Sequence, residues 1–259
     1  MKRMCGFRFP GIGFRKSYGS ICIPVGFGVD VQENLAVFSQ NMPECLYVDF
    51  GAYGVRAVTI PFYATSSESQ VVYMVNDAEI RYVFVGEQYQ YDIAFRSMPH
   101  CPTLQKLIIF DSSVVKNPQD TVSVYFEEFL QAGAGHEENE ELKRRAAELR
   151  MDDLANILYT SGTTGASKGV MLSHRMYHDA IIANDAVLTL GEKDVVLNFL
   201  PFTHVFERAW SYLCLSEVRS WPSICGLPTC CSRCRKCIRR VCVPYPVFGR
   251  KYMPACRRR

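Results

Sequence analysis

The chain has 259 residues, 48% of them hydrophobic, with 29 Lys or Arg against 26 Asp or Glu and a formal net charge of +3. That is enough apolar side chain for a sizeable core, and it excludes a disordered polyelectrolyte. No run of about eighteen apolar residues occurs, so no membrane-spanning helix is expected.

Taken in chain order, residues 1–28 show neither a period of two nor one of 3.6, and Arg8, Arg15 and Lys16 interrupt any apolar core a signal peptide would need. This segment is expected to be non-native. Asn34 to Ser39 then reads as a strand, Pro43 to Gly54 as a helix with proline in its first turn, and Ala57 to Ile60 as a strand. Ser66 to Asp77 predicts a helix, Arg81 to Val85 a strand, Glu87 to Met98 a helix, and Leu107 to Phe110 a strand. Strands alternating with helices of about a dozen residues predict an α/β fold whose parallel sheet is covered on both faces. The charged stretch His136 to Arg150 predicts an exposed helix, with Glu140 and Arg144, and Glu141 and Arg145, paired one turn apart.

Residues 158–170 read LYTSGTTGASKGV, a hydroxyl- and glycine-rich loop ending in lysine. Ile157 to Tyr159 and Val170 to Leu172 flank it as strands. Gly162, Gly165 and Gly169 permit backbone angles that let amides converge on an anion. Thr160, Ser161, Thr163, Thr164 and Ser167 add five hydroxyls, and Lys168 a mobile positive charge, a set suited to phosphate. The Walker pattern G-x-x-x-x-G-K-[ST] fits nowhere, and a loop between two strands lends no helix dipole. Ser173 reads as the N-cap of a helix from His174 to about Leu188. His174 and His178 stand one turn apart there, but without a convincing Cys or acidic partner for a metal. Further on, Leu200 to Trp210 reads LPFTHVFERAW, in which Glu207 and Arg208 read as a solvated pair.

Tyr159 to Val170 resembles the signature loop YTSGTTGxPKGV of the AMP-forming adenylating superfamily, with Ser167 where proline is usual. LPFTHVFERAW resembles a segment of the long-chain acyl-CoA synthetases within it. The resemblance implies the first part of a large, doubly wound nucleotide domain over residues 29–216, and ATP, Mg²⁺ and CoA as the reacting partners of a fatty acid. It implies a phosphate loop made of Thr160, Ser161, Gly162, Thr163, Thr164, Gly165, Ser167, Lys168 and Gly169, with Thr160 as a Mg²⁺ contact. Lys168 and His204 become the candidate catalytic residues. His204 would face the acyl carboxylate, and Phe202, Phe206 and Trp210 would line the acyl chain. A histidine can donate to a carboxylate, and aromatic rings offer an alkyl chain apolar area. The family's later ribose-binding and hinge motifs are not found, so an amino-terminal fragment with doubtful activity is expected.

From Glu217 onward the composition changes. Residues 217–259 hold seven of the twelve cysteines and eleven Lys or Arg against a single acid, leaving 18 basic and 25 acidic residues in the body. Cys231, Cys234 and Cys237 stand in C-x-x-C-x-x-C spacing, which taken alone suggests zinc or an iron–sulfur cluster. A zinc or nucleic-acid module on the basic tail is therefore one alternative, and a non-catalytic nucleotide-binding fragment another. A frameshift explains the tail differently. Back-translating Val247 to Cys256 from the third base of the valine codon allows FWEKVYAGV, a phrase that looks like an ordinary continuation of a long-chain acyl-CoA synthetase. The tail is expected to be out of frame and irregular. Cys45, Cys101 and Cys214 fit a reducing cytosol, so a cytoplasmic protein is expected, with peripheral membrane association left open and no nucleic acid as partner.

Overall fold

A computed structural model describes residues 28–133, 140–160, 167–188, 197–198, 200–217 and 223–224. Its elements run β1 (Asn34–Phe38), α1 (Pro43–Gly54), β2 (Val58–Phe62), α2 (Glu68–Asp77), β3 (Tyr82–Val85) and α3 (Gln88–Ser97). Then come β4 (Lys106–Ile109), β5 (Val124–Tyr125), α4 (Phe126–Gln131), α5 (Glu140–Ala147), β6 (Leu154–Thr160), β7 (Lys168–Ser173) and α6 (His174–Asp185). The series closes with β8 (Leu197–Asn198), α7 (Val205–Glu217) and β9 (Ser223–Ile224).

Seven strands form one sheet in the order β5-β4-β3-β1-β2-β6-β7. Every neighbouring pair is parallel except β6 and β7, which run antiparallel. Alternation along the strands sorts the core into two layers. Leu35, Val37, Tyr82, Phe84 and Ile108 face α1, α6 and α7, whereas Ala36, Phe38, Val83, Val85, Leu107 and Ile109 face α2 and α3. The sheet is thus wound on both faces, as the alternating strands and helices predict.

Local chemistry sets the boundaries. Pro43 occupies the first turn of α1, where its missing N–H costs no helical bond. The chain leaves that helix through Arg56, in the left-handed region at φ 63°, and the guanidinium is held by Asp153 through Nε at 2.9 Å. α2 begins at Glu68 and not at Ser66, because Ser67 and Gln70 form a reciprocal capping box. Ser173 does precede α6, but its side chain makes no capping bond. α6 also stops at Asp185, short of Leu188. The charged helix is found as α5, but Glu140 is paired with Lys143 and not with Arg144, which bridges Glu141 and Glu148. The pair Glu141–Arg145 forms as predicted, and the two arginines hold the Glu141 carboxyl down to about 2. Residues 1–27 and most of the Cys-rich tail lie outside the described residues.

Candidate active site

β6 and β7 carry the two stems of the hydroxyl-rich loop. Thr160 ends β6, Lys168 opens β7, and the two are direct partners in the antiparallel register. Residues placed opposite one another in such a ladder project to the same face about 5 Å apart, so a hydroxyl and an ammonium stand side by side, both exposed. Period-two alternation puts Thr160 on the face of Asn156, which is the face covered by α1 and α7. Tyr159 turns the other way, into the layer under α2. There its hydroxyl donates to the Asp77 carboxylate, and its ring meets Tyr73 edge-on at 6.3 Å. Burial and that hydrogen bond raise the Tyr159 pKa, so the phenol is a fixed donor and not a reacting base. Tyr73 also donates its hydroxyl to the Ser167 carbonyl at 2.9 Å. Gly169 leaves no room for a side chain, since a Cβ there would lie 2.7 Å from Ile157 Cγ2. Ser161, Gly162, Thr163, Thr164 and Gly165 lie outside the described residues.

The second predicted group sits on the turn that enters α7. His204 and Phe206 are exposed there, whereas Phe202 and Trp210 are buried in the core layer under α1. The four therefore do not form one continuous exposed wall. His204 caps its own helix, since its Nδ1 accepts the backbone N–H of Phe206 at 3.2 Å. In the neutral ring that bond assigns the proton to Nε2, leaving an outward donor.

Glu207 and Arg208 are not a solvated pair. Both are buried, Arg208 with 1% of its surface exposed, because α7 packs onto α1 and each finds an internal partner. Glu207 accepts the Leu200 N–H at 3.3 Å, and Arg208 is ion-paired with Asp49 of α1, itself 1% exposed. The network extends outward from this pair. Asp49 also accepts from Tyr212 at 2.9 Å and from Thr59 at 2.6 Å. Asn156 donates to Thr59 at 2.6 Å and accepts from Tyr53 at 2.9 Å. Burial alone would lower the Arg208 pKa, but Asp49 and the surrounding phenol oxygens raise it well above its ordinary value, so the guanidinium stays charged. A network spanning α1, β2, β6 and α7 fixes α7, whose entry turn carries His204, onto the strand that carries Thr160.

Sequence reading missed Asp49, Asn156 and Asn41. Asp49 and Asn156 sit in elements whose apolar pattern was the stronger signal, where a single buried polar residue leaves no periodic mark, and Asn41 sits in the short connection between β1 and α1, which has no period at all. His174 is buried against Tyr53, with the rings 4.8 Å apart, and burial pushes its pKa down to about 4. His178 instead pairs with Asp179. Among the described residues no group of three or more His, Cys, Asp or Glu could hold a metal ion.

The chain is similar to known proteins. The profile of the AMP-binding enzyme family matches residues 25–217. The guinea pig (Cavia porcellus) long-chain-fatty-acid–CoA ligase 1 is 28% identical over 200 residues, covering 73% of this chain and 28% of that protein. The long-chain-fatty-acid–CoA ligase FadD15 of Mycobacterium tuberculosis is 32% identical over 191 residues, covering 72% of this chain and 30% of that one. A red-emitting luciferase from Phrixothrix hirtus superposes with a TM-score of 0.65 at 19% identity, over 80% of this chain and 39% of its own, which is a likeness of fold. The chain spans less than a third of the length of the curated ligases it matches. With three-quarters of its length inside the family profile, it belongs to the AMP-binding enzymes.

Proposed function

We propose that residues 29–216 are part of the adenylation domain of an AMP-forming long-chain fatty-acid:CoA ligase. The observation that carries this reading is the placement of the Thr160–Lys168 pair and the His204 helix on one face of the sheet, tied together by the Asp49–Arg208 network. In the proposed reaction the fatty-acid carboxylate attacks the α-phosphorus of ATP and pyrophosphate leaves. The CoA thiol then displaces AMP from the acyl-adenylate. Lys168, with Thr160, Ser161, Thr163, Thr164 and Ser167 and the backbone at Gly162, Gly165 and Gly169, would hold the β- and γ-phosphates, where charge builds as pyrophosphate departs. Thr160, an exposed hydroxyl beside the lysine, fits a Mg²⁺ contact, and that ion would offset phosphate charge. The outward Nε2–H of His204 would hold the acyl carboxylate, with Phe206 beside it and Phe202 and Trp210 shaping the turn from within. Fatty acid, ATP and CoA are the proposed partners and the cytoplasm the proposed location.

The same reading holds that the 259-residue chain, spanning under a third of its ligase relatives, touches phosphate without turning over. Contacts realised only in the transition state make catalysis, and a phosphate loop and one histidine supply a minority of them. Incubating the purified chain with palmitate, MgATP and CoA should yield no palmitoyl-CoA above background. Thioester formation by this chain would contradict the inactive reading. In a longer ligase carrying this segment, by contrast, Lys168→Ala should slow fatty-acid-dependent pyrophosphate release by about 10².

A further inference from the structure

The turn bearing His204 is gripped through its backbone at Leu200 and Phe202. Phe202 donates its N–H to Asn41 Oδ1 at 3.0 Å, and its carbonyl accepts from Arg208 Nε at 3.0 Å. Asn41 also donates Nδ2 to the Leu200 carbonyl at 2.6 Å, so one amide side chain bridges two backbone groups as a neighbouring strand would. This pattern fixes the amide orientation. Exchanging its oxygen and nitrogen would set acceptor against acceptor and donor against donor. Asn41 lies just beyond the C-terminal end of β1, 161 positions before Phe202 in the chain. The connection that follows the central strand of the sheet thereby holds the turn. Downstream of the clamp, His204 donates its backbone N–H to the Pro201 carbonyl at 2.9 Å and takes the Phe206 N–H on Nδ1. The imidazole tautomer thus depends on the turn's shape, and the turn's shape depends on a side chain from another element.

We propose that Asn41 is a positioning residue for His204: it holds the 200–204 turn so that the capping bond keeps Nδ1 occupied and presents Nε2–H outward. This rests on the reading of His204 as the donor to the acyl carboxylate. Asn41 itself touches no substrate. Its effect is to remove the second tautomer from the histidine's repertoire, in which Nε2 would be a bare acceptor and repel a carboxylate.

Long-range proton–nitrogen NMR of the ¹⁵N-labelled 259-residue chain reads each histidine tautomer directly, with His100 and His178 as controls on other elements. The parent should show a single Nε2–H form of the neutral His204 ring, and laurate should shift that signal. Asn41→Ala should give a mixture of tautomers at His204 alone and weaken the laurate response at least fivefold. Asn41→Asp keeps the size and the acceptor for Phe202 but sets a carboxylate against the Leu200 carbonyl, and it should do the same. An unchanged His204 tautomer in both variants would overturn the proposal, as would a change shared equally by His100 and His178, which marks general loosening. If laurate leaves the parent's His204 unmoved, the acyl reading fails, and the tautomer comparison still decides the role of Asn41.

Discussion

The Tyr73 hydroxyl donates to the Ser167 carbonyl at 2.9 Å, joining the middle of α2 to the residue just before Lys168. Ser167 is also the one position at which Tyr159 to Val170 departs from the family pattern, where a proline would restrict the chain by its own ring. The Tyr73 bond supplies an external restraint at that residue. Tyr73→Phe removes only the hydroxyl. Amide hydrogen exchange at Lys168 and Gly169 should speed up several-fold, as expected for a lost bond of about 1 kcal/mol, with the melting temperature nearly unchanged. Adding Ser167→Pro should restore slow exchange at those amides. Unaltered exchange in Tyr73→Phe would show that the bond restrains nothing.

The buried pair of Asp49 and Arg208 has a stronger consequence. Removing one partner strands a charge away from water, so Arg208→Ala should cost about 3–5 kcal/mol in denaturant unfolding. Adding Asp49→Asn, which leaves a neutral amide for Thr59 and Tyr212 to bond, should recover part of that loss. A double variant less stable than Arg208→Ala alone would show that the pair is not the centre of the network.

His174 gives the fold a pH dependence of known sign. Its Nε2 has no hydrogen-bond partner among the described residues, and burial lowers its pKa from 6.5 to about 4, although Asp153 opposes the shift. The unfolded chain therefore binds a proton near pH 6.5 that the folded chain refuses until about pH 4. Stability is full above pH 6.5 and is lost as pH falls towards 4, by roughly 2–3 kcal/mol. Urea unfolding at steps between pH 7 and 4.5 should show the decline, and His174→Gln should flatten much of it. A parent curve level across that range would contradict the assignment.

Much of the architecture is legible in the sequence because its strands are buried on both faces. Runs such as Tyr82–Val85 and Lys106–Ile109 are nearly continuous apolar stretches bounded by polar turns, and helices with clear spacing separate them. β5 and α4 were not, because a two-residue strand and a six-residue helix carry too few periods to register. The site divides in the same way. The loop stems are visible because glycine, hydroxyl and lysine chemistry is local. Arg208 was misread as a surface residue because the partner that stabilises its burial, Asp49, lies 159 positions away and only folding brings them together.

The Cys-rich tail has a test of its own, for which we propose a reading-frame change near codons 216–218. The coding DNA should contain, one frame over from Val247 to Cys256, codons that spell FWEKVYAGV. Codons incapable of that phrase would return C-x-x-C-x-x-C to a metal reading. Zinc content per purified chain would then be the deciding quantity.

The central claim is that the loop between β6 and β7 takes nucleotide phosphate through Lys168, and calorimetric titration of MgATP into the 259-residue chain tests it most directly. Loss of one charge-assisted phosphate contact weakens binding by about 1.4 kcal/mol, a factor of roughly ten. Lys168→Ala should therefore raise Kd about tenfold. Lys143→Ala, on the exposed helix α5, should leave it unchanged, and both variants should keep the parent's circular dichroism. Equal affinity for MgATP in the parent and in Lys168→Ala would contradict the account.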